Sequence, residues 1–135
     1  MGSPGARGRV TDAITFDAGA LIAIEHRSKR MQALLDEIDR RDWRIAVPAG
    51  ALAQAWRGGP RQSRVAALLS DERTEVVALD DPVARAVGLL CGRSGHADVV
   101  DVSVALCARQ RNRRVITSDP DDLRSVDDRL ILHVP

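Results

Sequence analysis

Short apolar runs alternate with helix-forming stretches along almost the whole chain, and this alternation constrains the fold more than any other feature. Residues 13–17 (AITFD), 43–47 (WRIAV), 74–79 (TEVVAL), 114–117 (RVIT) and 130–134 (LILHV) have the length and β-branched content of buried strands. Between them lie helical patterns. Residues 18–26 carry small and aliphatic side chains, and residues 30–41 put Met31, Leu34, Leu35 and Ile38 on one face. Pro48 sits where a helix over residues 49–57 can begin, and Gly58-Gly59-Pro60 ends it. Ser63 is placed to cap a helix reaching residue 69. Asp80 and Asp81 before Pro82 open another, running to about residue 91. A long helix is expected over residues 98–112, with Val99, Val102, Ala105, Leu106 and Ala108 as its packing face. Strands that alternate with helices predict an α/β fold with a central, mostly parallel five-stranded sheet flanked by helices. No repeat or linker divides the chain. The expected organisation is a flexible, polar segment at residues 1–12 and one domain over residues 13–135.

In open α/β sheets, ligands bind beyond the carboxyl ends of the strands. Asp17 ends the first predicted strand, and Asp119 lies two residues past the fourth, in Thr-Ser-Asp-Pro-Asp-Asp. Asp98 and Asp101 open the long helix three positions apart, which places them on one face. An acid at a helix start is ordinarily a cap, and Asp98 is open to that reading; Asp101 lies inside the helix. Converging carboxylates repel one another and are costly to desolvate, and a divalent cation relieves both costs. An all-oxygen donor set favours Mg²⁺ or Mn²⁺ over zinc. A cation held by Asp17, Asp101 and Asp119 would polarise a phosphodiester and lower the pKa of a bound water. The expected chemistry is therefore hydrolysis of a nucleic-acid backbone.

Composition narrows the alternatives. The net charge is only +1, but Arg109, Arg111, Arg113 and Arg114 lie within six positions, close in sequence to Asp98, Asp101, Asp119, Asp121 and Asp122. Basic residues beside acidic ones suit a phosphate backbone held near bound cations. Phe16, Trp43 and Trp56 are the whole aromatic complement, too few for a base-stacking platform. Cys91 and Cys107 are expected to be reduced core thiols, and His26, His96 and His133 have no zinc-ligand spacing. The one lysine, Lys29, lies in an early helix, which argues against a phosphoacceptor receiver; Asp17-Ala18-Gly19 lacks the D-x-D step of haloacid-type phosphatases. There is no P-loop, G-x-G-x-x-G or H-E-x-x-H. No apolar run approaches the ~18 residues that cross a bilayer, and the first ten residues have no apolar stretch, so a cytoplasmic protein is expected.

Three segments give the chain a family resemblance. ITFDAGALIA, VPAGALAQAWR, and ADVVDVSVALCA followed by VITSDPDDL resemble a PIN domain, over roughly residues 13–134. The eighteen-residue step from Asp101 to Asp119 is the most specific part, and the overall order is similar to that of small VapC-type toxins. The resemblance implies a PIN-like three-layer fold and a Mg²⁺- or Mn²⁺-dependent endoribonuclease. It also implies an RNA substrate, a homodimer, and a cognate antitoxin that blocks the active site. It makes Asp17, Asp101 and Asp119 the catalytic and metal-holding acids, Asp98 an accessory acid, and Thr117 a residue that orients Asp119 or a water. One position departs from the pattern: Gln54 stands where PIN domains usually have a glutamate. An amide can bind a cation or water but brings no charge and cannot act as a base. The alternative expectation is a weak or inactive PIN-like module that binds RNA or protein through a degenerate site. A partner surface over residues 50–64, with Trp56 on it, is weighed against Trp56 as an ordinary core aromatic.

Overall fold

The protein was analysed as a computed structural model that describes residues 12–135, so the segment expected to be flexible lies, but for Asp12, outside the described residues. Its elements are β1 (Ala13–Phe16), α1 (Ala18–Glu25), α2 (Lys29–Arg41), β2 (Arg44–Pro48), α3 (Ala49–Ala55), α4 (Ser63–Ser70), β3 (Thr74–Val77), α5 (Asp81–Ser94), α6 (Val99–Arg109), β4 (Arg114–Ile116), α7 (Pro120–Val126) and β5 (Ile131–His133). The five strands form one sheet in the order β3-β2-β1-β4-β5, and every neighbouring pair is parallel. β1 lies in the middle, buried at all four positions, as a strand covered on both faces must be. The chain winds to one side of β1 through β2 and β3 and to the other through β4 and β5. The order therefore reverses between β1 and β4, the point beyond whose strand ends such sheets bind their ligands.

Helices cover both faces. Ile14, Phe16, Ile45, Val47 and Ile116 point to one side, where they meet Leu21 and Ile24 of α1, Met31 and Ile38 of α2, and Val65 of α4. On the other side Val115 packs with Val87 and Leu90 of α5, the body of α6, and Leu123 and Val126 of α7. Each of these aliphatic side chains contributes about 1.5–3 kcal/mol when fully buried. α6 is buried continuously from Val102 to Ala108, so it is packed all round rather than along one stripe. Val99, expected on its packing face, is instead half exposed at its first turn, before the buried run begins.

Local chemistry sets the element ends. Asp17, Ser28, Asp80 and Asp98 each cap a helix, their side-chain oxygens accepting the free N–H groups of its first turn. Ser63 does not: a short 3₁₀ turn, Pro60–Gln62, precedes α4 and Ser63 makes no cap bond, so that expectation is corrected. The buried Gln62 amide holds this turn instead, accepting from Arg57 and Gly58 N–H and donating to Glu25 and the Ala55 carbonyl. α7 is the element the sequence pattern does not announce. Cys107 is buried and Cys91 partly so, and both are free thiols. Trp56 is 40% exposed, so it is not a core aromatic.

Candidate active site

The ends of β1 and β4 lie side by side at the strand reversal. Asp17 follows β1 directly; its backbone N–H bonds to the Ile116 carbonyl at 3.1 Å, and its carboxylate accepts the Ala20 N–H at 3.0 Å. Thr117 follows β4, is fully buried, and is fixed by an N–H bond to the His133 carbonyl at 2.9 Å. Its hydroxyl accepts the Asp119 N–H at 2.9 Å and lies near enough to the Asp17 carboxylate to lower its pKa. One threonine thus stands beside the acid of β1 and holds the backbone of the acid after β4. Asp119 is exposed and heads α7 with a carboxylate that makes no cap bond. Burial raises the Asp17 pKa and the charge of Asp119 adds to the rise, against the lowering effect of Thr117 and of the Ala20 and Ser118 N–H groups.

A second acidic group adjoins it at the start of α6. Asp98 caps that helix, accepting from Val100 N–H at 2.9 Å and Asp101 N–H at 3.1 Å through one oxygen, so the cap reading of Asp98 holds. Asp101 is partly buried, and its pKa is raised by burial first and then by Asp98 and Asp122. His96 opposes this: its Nε2 lies 3.3 Å from the Asp101 carboxylate, while its Nδ1 lies 3.3 Å from the Ser125 hydroxyl of α7. A surface depression of about 260 Å³ runs over Ser118, Asp119 and Asp122, at the start of α7.

The structure therefore divides the expected site. Asp17, Thr117 and Asp119 come together, and Asp101 has Asp98, Asp122 and His96 as its closest charged company. Among the described residues, no three His, Cys, Asp or Glu side chains stand close enough to hold a metal ion as they are. Gln54 is exposed near the end of α3 and hydrogen-bonds to none of these acids. The arginines do not flank the acids: Arg109 pairs with Asp127, Arg111 with Glu75, and Arg114 begins β4 while Asp119 follows its end. The donor chemistry nevertheless suits a hard cation. Mg²⁺ is commonly held by one or two carboxylates, with waters and substrate phosphates completing its octahedron. A pair such as Asp17 and Asp119 fits that pattern without a cage.

Four residues of this region were given no place in the site by the sequence reading, although Asp122 was counted in its acidic cluster. His96 and Asp122 had a signal, the first two positions before Asp98 and the second inside Thr-Ser-Asp-Pro-Asp-Asp. Ser118 and Gly19 had none, since their role is contact. A Cβ on Gly19 would fall 2.1 Å from the Ser118 hydroxyl and 2.6 Å from its Cβ, so only glycine lets the first turn of α1 approach the loop between Thr117 and Asp119.

The fold matches a chain in the crystal structure of VapBC2 from Rickettsia felis bound to a DNA fragment from their promoter, with a TM-score of 0.65 and 17% identity, over 90% of this chain and 98% of that one. It also matches a chain of FitAB bound to the IR36 DNA fragment, with a TM-score of 0.61 and 19% identity, over 90% of this chain and 94% of that one. No curated protein matches the sequence. The PIN domain family model matches residues 14–129, a span that includes every acid named above, and the chain belongs to the PIN domain family.

Proposed function

We propose that this protein is a Mg²⁺- or Mn²⁺-dependent endoribonuclease and the toxin of a toxin–antitoxin pair. The observation that carries the reading is the pairing of Asp17 and Asp119 through Thr117 at the strand reversal. Membership of a nuclease family supports the hydrolytic chemistry. In this reading Asp17 and Asp119 hold the cation, and Asp101 of α6 joins them as a ligand, with Asp98 at the same helix start. When bound, the cation would polarise the phosphodiester and make its water more acidic. Thr117 keeps Asp17 and the Asp119 backbone in fixed relation. His96 steadies Asp101, as hydrogen-bonded neighbours of ligating carboxylates generally do. The raised pKa of Asp17 and Asp101 reflects negative charge crowded into a partly desolvated site, the condition that a divalent cation relieves.

An antitoxin partner is supported by the two fold neighbours, which come from VapBC2 and FitAB assemblies. A groove of about 330 Å³ between α1, α2 and α4 offers it Leu35 and Leu68 over the buried Ile24 and Met31, edged by Arg27 and Arg64. A homodimer and a cytoplasmic location complete the proposal; no helix among the described residues is long and apolar enough to cross a membrane.

The test is cleavage of labelled RNA by the purified protein. Activity should appear with Mg²⁺ or Mn²⁺, vanish in EDTA, and fall by at least about a hundredfold in D17N and D119N. His96→Ala should cost roughly 10–100-fold. Cleavage that persists in EDTA, or in both aspartate variants, would rule the mechanism out. Gln54→Glu tests the alternative of a degenerate site, because an added carboxylate should raise turnover if the missing charge limits it.

A further inference from the structure

A second cavity, built from none of the acidic residues above, lies between α2 and the sheet. Its volume is about 110 Å³; Trp43, Arg41, Arg114, His133 and Glu37 line it together with four isoleucine and leucine side chains of the core. Typical small-molecule pockets measure ~300–1,000 Å³, so this one suits a single small group rather than a whole nucleotide.

The charge around it is one-sided. The Arg41 and Arg114 guanidinium carbons stand 5.2 and 4.9 Å from the centre of the Trp43 ring. Arg114 also lies 3.5 Å from the His133 Nε2. Arg30, on the neighbouring turn of α2, donates its Nε to the Val134 carbonyl at 2.7 Å, which leaves its two terminal nitrogens free of that bond. Glu37, the acid on the cavity, gives one oxygen to Arg40 and the other to Arg41. Among the described residues, neither Arg30 nor Arg114 is within 4.0 Å of a carboxylate, and residues 1–11 contain no Asp or Glu. The surroundings register the excess: burial and then the charges of Arg114 and Arg30 push the His133 pKa down. Guanidinium groups offer paired N–H donors in the spacing that phosphate oxygens accept.

We propose that the Trp43–Arg114–His133 cavity, with Arg30 at its edge, binds one phosphate group, supplied either by a free phosphomonoester or by the backbone of an RNA. The site is independent of the nuclease reading, since it uses none of the same residues and needs no cation.

The test follows the two indole N–H signals of the full-length, ¹⁵N-labelled protein by NMR, in EDTA and at constant ionic strength set with NaCl. Inorganic phosphate, AMP and a short oligoribonucleotide lacking terminal phosphates are titrated separately. The Trp43 signal should move and saturate while Trp56 stays still. R114Q and R30Q should each weaken the response about tenfold or more, as loss of a charge-assisted contact does. Saturation with phosphate and AMP identifies a phosphomonoester site, and saturation with the oligoribonucleotide alone identifies a backbone site. No saturating movement with any of the three overturns the proposal. So does equal binding by both variants. If R114Q does not fold, R30Q and the wild-type comparison of phosphate with chloride still decide it.

Discussion

Asp17 does three jobs at one position, and they pull in different directions. It caps α1, it shares Thr117 with Asp119, and it is an acid held where its charge is costly. Its folded pKa lies above the ordinary 3.8, mainly through burial. The sign follows. The protonated form is favoured in the fold, so this group's contribution to stability is full below about pH 3.8 and is lost as pH rises through the raised value. Asn caps helices as well as Asp and carries no charge. D17N should therefore melt at a higher temperature than wild type at pH 7 in EDTA, and the gap should shrink as pH falls toward 3.8. A variant that melts lower at pH 7 would show that the ionised carboxylate is stabilised rather than strained. Asp101 has the same sign for the same first cause, tempered by its greater exposure and by His96.

At the scale of elements, the approach of α1 to the Thr117–Asp119 loop decides how the two acids meet. Gly19→Ala places a methyl group against both Ser118 side-chain atoms and 3.1 Å from its backbone nitrogen. Rotating the hydroxyl relieves one contact; the others require the loop to shift. A displacement of that order at a reacting centre can cost about a hundredfold in rate. G19A should lose RNA cleavage on that scale while remaining folded, and adding Ser118→Gly should restore much of it by removing the opposing atoms. Full activity in G19A alone would show that the loop yields without moving Asp119. This contact also marks the limit of what the sequence carries. The five strands were legible because buried parallel strands are apolar and β-branched, and the caps at Asp80 and Asp98 because capping is local chemistry. α7 was not, because Pro120–Val126 is short, carries two further acids in its first turn, and buries only Leu123 and Val126. The positions of Asp17 and Asp119 at strand ends were legible. The closeness of Gly19 to Ser118 and of His96 to Asp101 was not, since it arises only when separate elements pack. The arginines near Arg114 misled in the opposite way: neighbours in sequence to the acids, they begin the strand that the acids end.

For the molecule as a whole, a sheet that reverses at β1 and β4 brings the carboxylates of Asp17 and Asp119 near one another at its strand ends, and the fold tolerates this through the two apolar layers behind them. Such a molecule should be more stable with its cation than without it. A ligand that binds only the folded state stabilises by RT ln(1 + [L]/Kd), about 2.7 kcal/mol at a hundredfold excess over Kd. For a domain of this size that corresponds to a rise of roughly 10 °C in Tm. Differential scanning calorimetry with increasing MgCl₂ or MnCl₂, against NaCl at equal ionic strength, reads it directly. Ionic strength alone screens repulsion between exposed acids and should act on wild type and variants alike. Specific binding should not: D17N and D119N should lose the divalent-dependent rise, because each removes one of the two charges that would hold the ion. Asp98→Asn should keep most of it, since that carboxylate is engaged in capping α6. Were the rise equal in wild type and in D17N, the cation would be acting on the acidic surface in general, and the Asp17–Asp119 pair would have no claim to it.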